Sequence, residues 1–304
     1  MSAVTIRLPL TELRFTTPLI KDYLSRQSPI DSLYHRFSSL DSFEGQIVEK
    51  GRNYGVDRNE LVSILKNQYG QMALSTETEN NLELLKKPTT FTVTTGHQLN
   101  LFTGPLYFWF KIISAVKLAR TLKQTYPNHD FIPVYWMATE DHDFEEINFF
   151  TFKGKKIRWH KESNGPVGRL QTDGLKELSN IFHRELGSGQ NAQELQRLFE
   201  AAYVQHPTLA EATRYLVNEL FKEEGLVIVD GDDPALKRYF IPYLEQELLH
   251  QTSFQKVTET LTQLSDYKIQ VNPREINLFY MEDDFRERIV EQNGVYSILN
   301  TGIR

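Results

Sequence analysis

The sequence predicts an α/β chain built on a parallel sheet, with a helical subdomain inserted into it. Three observations carry this. Thr90-Phe91-Thr92-Val93-Thr94-Thr95 is a β-branched run of strand length. Phe131-Ile132-Pro133-Val134-Tyr135-Trp136-Met137-Ala138 is a continuous apolar run, the pattern of a strand buried on both faces, and a long helical pattern lies between the two. Farther on, Leu226-Val227-Ile228-Val229 repeats the order of strand, turn and helix, with Pro234 opening the next helix.

Residues 1–88 read as a mostly helical lead-in packed on the core. Leu61, Ile64, Leu65 and Tyr69 give one helical face over Asp57–Tyr69, and Thr76–Leu85 is a second short helix stopped by Pro88. Residues 89–146 form the first part of the core. After the Thr90 strand, Gly96–Gly104 is a loop, and Pro105 opens a helix to Gln124 with Thr103 or Gly104 as its cap. Leu106, Trp109, Phe110, Ile113, Val116 and Leu122 line its broad face. Tyr107 and Phe108 extend the apolar surface, so the helix is expected to be covered on more than one side. Strand, helix, strand is a parallel unit with a right-handed crossover.

Residues 147–224 are the insertion. Ile147–Phe152 and Ile157–Lys161 pair as a hairpin turning at Lys153–Lys156. Helices follow near 173–186, 191–204 and 208–223, broken at Gly187, Gly189 and Pro207, with Gly225 as the closing C-cap. Residues 225–304 return to the core. The helix from Pro234 runs to His250, and Lys268–Val271, Ile276–Met281 and Tyr296–Leu299 are extended.

Composition narrows the function. Against 34 Lys and Arg stand 40 Asp and Glu, a net charge of −6, which argues against a protein that grips nucleic acid through phosphates. The absence of cysteine excludes disulfides, thiolate metal sites and a cysteine nucleophile in this chain. No apolar run is long enough to span a membrane and Met1–Leu10 lacks a signal-peptide pattern, so a cytoplasmic location is expected. Gly-x-Ser-x-Gly, His-Glu-x-x-His and the P-loop are absent.

Ligands of an open parallel sheet bind outside the carboxyl ends of its strands, and three polar clusters fall there. In the first, Gly96 and Gly104 let the backbone approach a ligand, and His97, Gln98 and Asn100 can donate to a phosphate or carboxylate. Thr103–Gly104 opens a helix whose free amides favour an anion. The alternative is a structural turn whose polar groups satisfy local backbone. The second cluster sets Glu140, Asp141, His142 and Asp143 directly after a buried strand. Such a group can perform acid–base chemistry or take Mg²⁺ beside ligand phosphates, and its spacing matches no standard zinc site. In the third cluster Asp233 precedes Pro234 as a helix cap, and Asp230 at the strand end is the site candidate. Lys111, well inside the helix, reads as lying outside the cleft.

These residues resemble a known family. Thr-Gly-His-Gln-Leu-Asn-Leu-Phe-Thr-Gly-Pro-Leu-Tyr (95–107) and Pro-Val-Tyr-Trp-Met-Ala-Thr-Glu-Asp-His-Asp-Phe-Glu-Glu-Ile (133–147) are similar to BshC, the cysteine ligase family of bacillithiol biosynthesis. Leu226–Asp230 with Asp233-Pro234, and Asn272–Tyr280, fit the same family, so the resemblance spans the chain. It implies a Rossmann-like core with inserted connecting segments, and the joining of cysteine to glucosaminyl-malate through an amide bond. That bond requires carboxyl activation, for which ATP is the implied reagent. The implied catalytic residues are Asp141, His142 and Glu140, which would orient the amine or a metal and accept a proton. Gly96, His97, Gln98, Asn100, Thr103 and Gly104 would hold the phosphate or malyl carboxylates, although many relatives carry Gln at position 97. Asp143 would join the catalytic group in orienting the amine or a metal, and Asp230 would line the same substrate cleft. The implied partners are the two small molecules, with neither nucleic acid nor membrane. Family members continue past Arg304 into further elements and a coiled coil that supports a homodimer, so an N-terminal portion is expected here. The rival readings are a nucleotidyl transferase-like enzyme acting on another acceptor and a non-catalytic small-molecule-binding protein.

Overall fold

A computed structural model describes residues 6–27, 30–52 and 54–304. The chain divides into two compact units. The larger comprises Ile47–Pro242 and Phe279–Glu287; the smaller takes the described residues before 47 with Tyr243–Leu278 and Arg288–Arg304. Residues 47–88, read from sequence with the lead-in, therefore group with the sheet, because Val62, Leu65, Tyr69 and Leu82 are buried in its core.

Among the described residues the larger unit holds six strands complete: β1 (Thr90–His97), β2 (Asp130–Met137), β3 (Phe149–Phe152), β4 (Lys155–Arg158), β5 (Val227–Asp230) and the short Phe279–Met281. Strands β1, β2 and β5 form a parallel sheet with β2 in the centre. Central placement is why β2 reads as an unbroken apolar run, with Ile132, Tyr135 and Met137 almost wholly buried. The pairings end at His97↔Met137 and Met137↔Asp230, so all three strands finish on one row. That flush edge brings the three polar turns to a single rim.

The long helix, Tyr107–Thr125, packs on β1 and β2. Its buried face is Phe108, Ile112, Ala115, Val116, Ala119 and Leu122. The expected face holds only in part: Val116 and Leu122 are buried, but Leu106, Phe110 and Ile113 are exposed by 69%, 62% and 49%. Two apolar stripes compete on this helix. The one containing Ala115 and Ala119 lets the helix lie close against the sheet. The cap was also misplaced. Leu106 is the capping residue, without a side-chain bond, while the Thr103 hydroxyl accepts from Trp109 Nε1 at 3.1 Å. Phe102, Thr103 and Gly104 all have positive φ (49°, 69° and 48°), so the chain is still reversing there. A Cβ on Gly104 would lie 2.4 Å from Asn100 Cβ.

The β3–β4 hairpin is tighter than expected, closed by Lys153 and Gly154 alone, both at positive φ, as a two-residue turn requires. The insertion helices form at Leu175–Leu186, Gln190–Tyr203 and Leu209–Phe221, the last opened by a capping box between Thr208 and Glu211. Phe102, Phe150, Phe182, Phe199 and Tyr203 make the aromatic centre of this region, and the Phe102 amide donates to Tyr203 OH at 2.8 Å. The Leu209–Phe221 helix is capped at Lys222, and Gly225, in the left-handed region, closes the 3-10 turn Lys222–Glu224 that follows it.

The helix expected from Pro234 to His250 is broken into Pro234–Arg238 and Ile241–His250. Pro242 has no amide to continue the ladder, so a new helix starts around it. A further helix at Thr252–Gln263 occupies residues that sequence reading left unassigned, and Lys268–Val271 forms no strand. The late strands are Phe279–Met281, Arg286–Gln292 and Val295–Ile298.

In the smaller unit, Tyr23, Tyr34 and Phe37 pack together, and Tyr267 OH donates to Asp22 at 2.7 Å. Glu247 is buried there, accepting the amides of Ser253 and Asn277 at 2.8 and 2.9 Å. Ile289 to Gln292 pairs antiparallel with Val295 to Ile298. Among the described residues no helix is long and apolar enough to cross a membrane.

Candidate functional site

The turn after β2 is the hub of the rim. The Gln98 amide, from the turn after β1, donates to Asp141 Oδ2 at 2.8 Å and to Glu146 Oε2 at 2.7 Å. Asp141 Oδ1 accepts the His142 amide at 2.8 Å. Burial alone would raise the Asp141 carboxyl. The bonds from Gln98 and from the His142 and Asp143 amides outweigh it and hold the carboxyl below its usual range. Asp141 is therefore a fixed negative charge more than a ready proton acceptor. His142 is half exposed, and its Nδ1 lies 3.0 Å from an Arg286 nitrogen.

On the other flank of β2, the buried Thr139 hydroxyl donates to Asp230 Oδ1 at 2.5 Å, and the Asp232 amide joins the same oxygen at 2.9 Å. Asp230 Oδ2 has no partner among the described residues. Arg169 clamps Asp232 through Nε and Nη2 at 2.6 and 3.0 Å, and Lys237 bridges Asp232 (2.5 Å) to Glu140 (3.0 Å). Burial alone would raise the Asp232 carboxyl, but Arg169 and Lys237 overcome it and keep it low. The same pairing holds the Lys237 ammonium above its ordinary value against the opposing effect of burial.

A cleft of about 720 Å³ opens beside this flank, with Thr139, Gly168 and Asp230 in its wall. Lys161, Arg169 and Arg214 face five carboxylates there: Glu211, Asp230, Asp232, Asp233 and Asp283. Four of the five are engaged locally. Glu211 completes a capping box, Asp232 and Asp283 pair with Arg169, and Asp233 caps the Pro234 helix while accepting from Gln68. Glu211 Oε1, Asp283 Oδ2 and Asp230 Oδ2 stay open among the described residues, and of these three side chains only that of Asp230 is part-buried. Arg214 is buried, donating to Ile228 O at 2.8 Å and Gln68 Oε1 at 3.0 Å, and burial lowers its affinity for its proton.

The sequence-predicted residues thus meet at one rim with unequal duties. Gln98, Glu140, Asp141, His142 and Asp230 join the networks above. His97 is buried against Tyr107 and Phe108, with Nδ1 3.1 Å from Gln98 O, and burial pushes its imidazole pKa down. Asn100 spans the turn to Glu146 O at 3.1 Å. Gly96 O accepts from Lys111 at 3.1 Å, so Lys111 reaches the rim loop although it does not line the cleft. Asp143 is exposed and makes no side-chain cap bond. Gly96, His97, Gln98, Asn100, Thr103 and Gly104 all lie outside the cleft wall. Gln68, Arg169, Arg214, Lys237 and Arg286 were missed. Arg214 left a signal, a charge set between the apolar pairs of its helix. The others sit on elements that sequence patterns treat as scaffold.

As to Mg²⁺, no three His, Asp or Glu side chains converge as a metal-ligating cluster among the described residues. Both oxygens of Asp141 and of Asp232 are engaged by amides, arginine or lysine, which leaves Asp230 Oδ2 without two neighbouring carboxylates free to complete a metal site.

The family profile described as "Bacillithiol biosynthesis BshC, N-terminal Rossmann-like domain" matches residues 1–304. Similar proteins named "Putative cysteine ligase BshC" come from Flavobacterium johnsoniae (56% identical over 290 residues, 95% of this chain and 55% of the relative) and Flavobacterium psychrophilum (52% over 291 residues, 95% and 55%). A third, from Christiangramia forsetii, is 48% identical over 299 residues, covering 96% of this chain and 56% of the relative. The chain spans about half the length of the curated relatives it matches. With a parallel core, a rim of three polar turns and a match over its whole length, the chain belongs to the BshC family, in its N-terminal Rossmann-like domain.

Proposed function

We propose that this chain carries the acceptor-amine site of a cysteine ligase in bacillithiol biosynthesis, with Asp230 as the residue that receives the amine. The reaction joins the cysteine carboxyl group to the amine of glucosaminyl-malate. The carbon–nitrogen bond forms, the bond from the acyl carbon to its activating group breaks, and a proton leaves the nitrogen. ATP is the activating reagent in this reading. Asp230 Oδ2 carries the proposal: among the described residues Glu211 Oε1 and Asp283 Oδ2 also lack a partner, but those side chains are exposed, whereas Asp230 is part-buried at the end of β5, and five carboxylates against three cations favour an amine there over an anion. Asp230 orients the amine and balances the positive charge that grows on nitrogen during attack. Thr139 and the Asp232 amide fix the carboxylate so that little reorganisation is needed. Gly96, Gln98, Asn100, Thr103 and Gly104 serve by shaping the rim, and Asp141 adds fixed negative charge beside it.

Calorimetric titration with glucosaminyl-malate tests this site. Wild type binds, and Asp230→Asn weakens binding by about tenfold or more, roughly 1.4 kcal/mol. Equal affinity of the two proteins removes Asp230 from the site. Mass spectrometry of a reaction with cysteine, glucosaminyl-malate and ATP then reads whether the bound acceptor is acylated.

A further inference from the structure

Arg286 opens the Arg286–Gln292 strand and belongs to no motif singled out from sequence. Its guanidinium lies 3.8 Å from the centroid of the Phe279 ring, which holds it in place, and its Nη1 stands 3.0 Å from His142 Nδ1. A guanidinium has donors only, so the imidazole nitrogen must be the acceptor. The rival partner is Asp141 Oδ1, which would require a proton on Nδ1. That oxygen is 3.6 Å from Nδ1, outside hydrogen-bond range, and already accepts the His142 amide at 2.8 Å. Distance and prior occupancy both favour Arg286.

We propose that Arg286 is a positioning residue that locks His142 in the Nε2–H tautomer, so that the ring edge opposite Arg286 presents a donor to a carboxylate or acyl oxygen of the substrate. In this arrangement His142 does not take the proton of the attacking amine: one ring nitrogen already carries hydrogen and the other is engaged by a cation. The carboxylates of the rim are left to balance the charge on nitrogen. The identity of the oxygen rests on the ligase reading above; the tautomer rests on the hydrogen-bond geometry alone.

The test is a long-range proton–nitrogen correlation spectrum of histidine-labelled protein, recorded on the neutral imidazole. The His142 signals are identified by their loss in His142→Gln. Wild type shows the proton on Nε2. In Arg286→Glu a carboxylate replaces the cation and accepts from Nδ1, so the population moves to Nδ1–H; Arg286→Met gives a mixture. A proton on Nδ1 in wild type, or the same tautomer ratio in all three proteins, overturns the proposal, and the wild-type spectrum decides alone if a variant fails to fold. Glucosaminyl-malate is then titrated into wild type. Movement of the Nε2 signal supports the donor role, and an unmoved signal under conditions where calorimetry shows binding overturns it.

Discussion

Gln98 and Asp141 are joined by a 2.8 Å hydrogen bond that ties the turn after β1 to the turn after β2. The same amide nitrogen holds Glu146 at 2.7 Å, so one neutral side chain fixes two carboxylates. A residue expected to bind ligand thereby sets the shape of the rim.

Gln98→Leu should free Asp141 and cost about 1 kcal/mol near neutral pH, at the low end for a bond to a charged group because the carboxylate is partly exposed. The Asp141 carboxyl is held below its usual range. Its contribution is therefore present above the unfolded value of about 3.9 and is lost as pH falls through the lower folded value. Denaturant unfolding of variant and wild type should differ near pH 7, and the gap should narrow in acid. A gap that widens in acid contradicts the assignment.

Thr139→Val keeps the shape of a side chain that is 1% exposed but removes the donor to Asp230 Oδ1. A loss of about 1.5–3 kcal/mol is expected for a buried bond to a charged acceptor. Affinity for glucosaminyl-malate should fall as well, since Asp230 would be less firmly aimed. Urea unfolding and calorimetry on the same variant read both effects.

Gly168→Ala tests how closely the strip after the insertion hairpin approaches the end of β2. A Cβ there would meet Thr139 Cβ at 2.6 Å and Cγ2 at 2.8 Å, and Gly168 also donates its amide to Thr139 O at 2.9 Å. Overpacking of this kind should cost about 1–3 kcal/mol. Thermal unfolding unchanged from wild type would show that the two segments move apart freely.

Phe110→Ser and Ile112→Ser compare the two apolar stripes of the long helix. Ile112 is wholly buried and Phe110 is 62% exposed. Serine at 110 should change stability by no more than about 0.5 kcal/mol, and serine at 112 should cost roughly 2–5 kcal/mol. Equal losses at both positions would show that the Phe110 stripe is covered in solution.

The strands were legible because β-branched and apolar runs of the right length admit few other structures, and the three insertion helices because Gly187, Gly189 and Pro207 punctuate them. The long helix shows where pattern reading stopped. Leu106, Phe110 and Ile113 are as apolar as Ile112 and Val116, and periodicity cannot say which stripe meets a sheet. The break before Ile241 and the helix at Thr252–Gln263 were legible too, since Pro242 marks the first and Phe254, Val257 and Leu261 at helical spacing mark the second. At the rim, Glu140, Asp141, His142 and Asp230 were found because charge directly after a buried strand is conspicuous. Gln68, Arg169 and Arg286 come from distant segments and carry no such local mark.

By itself the sequence determined that three polar turns follow strands of one parallel sheet, since strand length, helix length and the position of each turn are local properties. How their groups are divided follows from the folded arrangement. It aligned His97, Met137 and Asp230 on one row, turned Gln98 inward to hold Asp141, and left Asp230 Oδ2 open. The physical reason is that hydrogen-bond capacity is finite: whether a polar group can serve a ligand depends on which neighbours have already claimed it, and those neighbours are brought together by the fold.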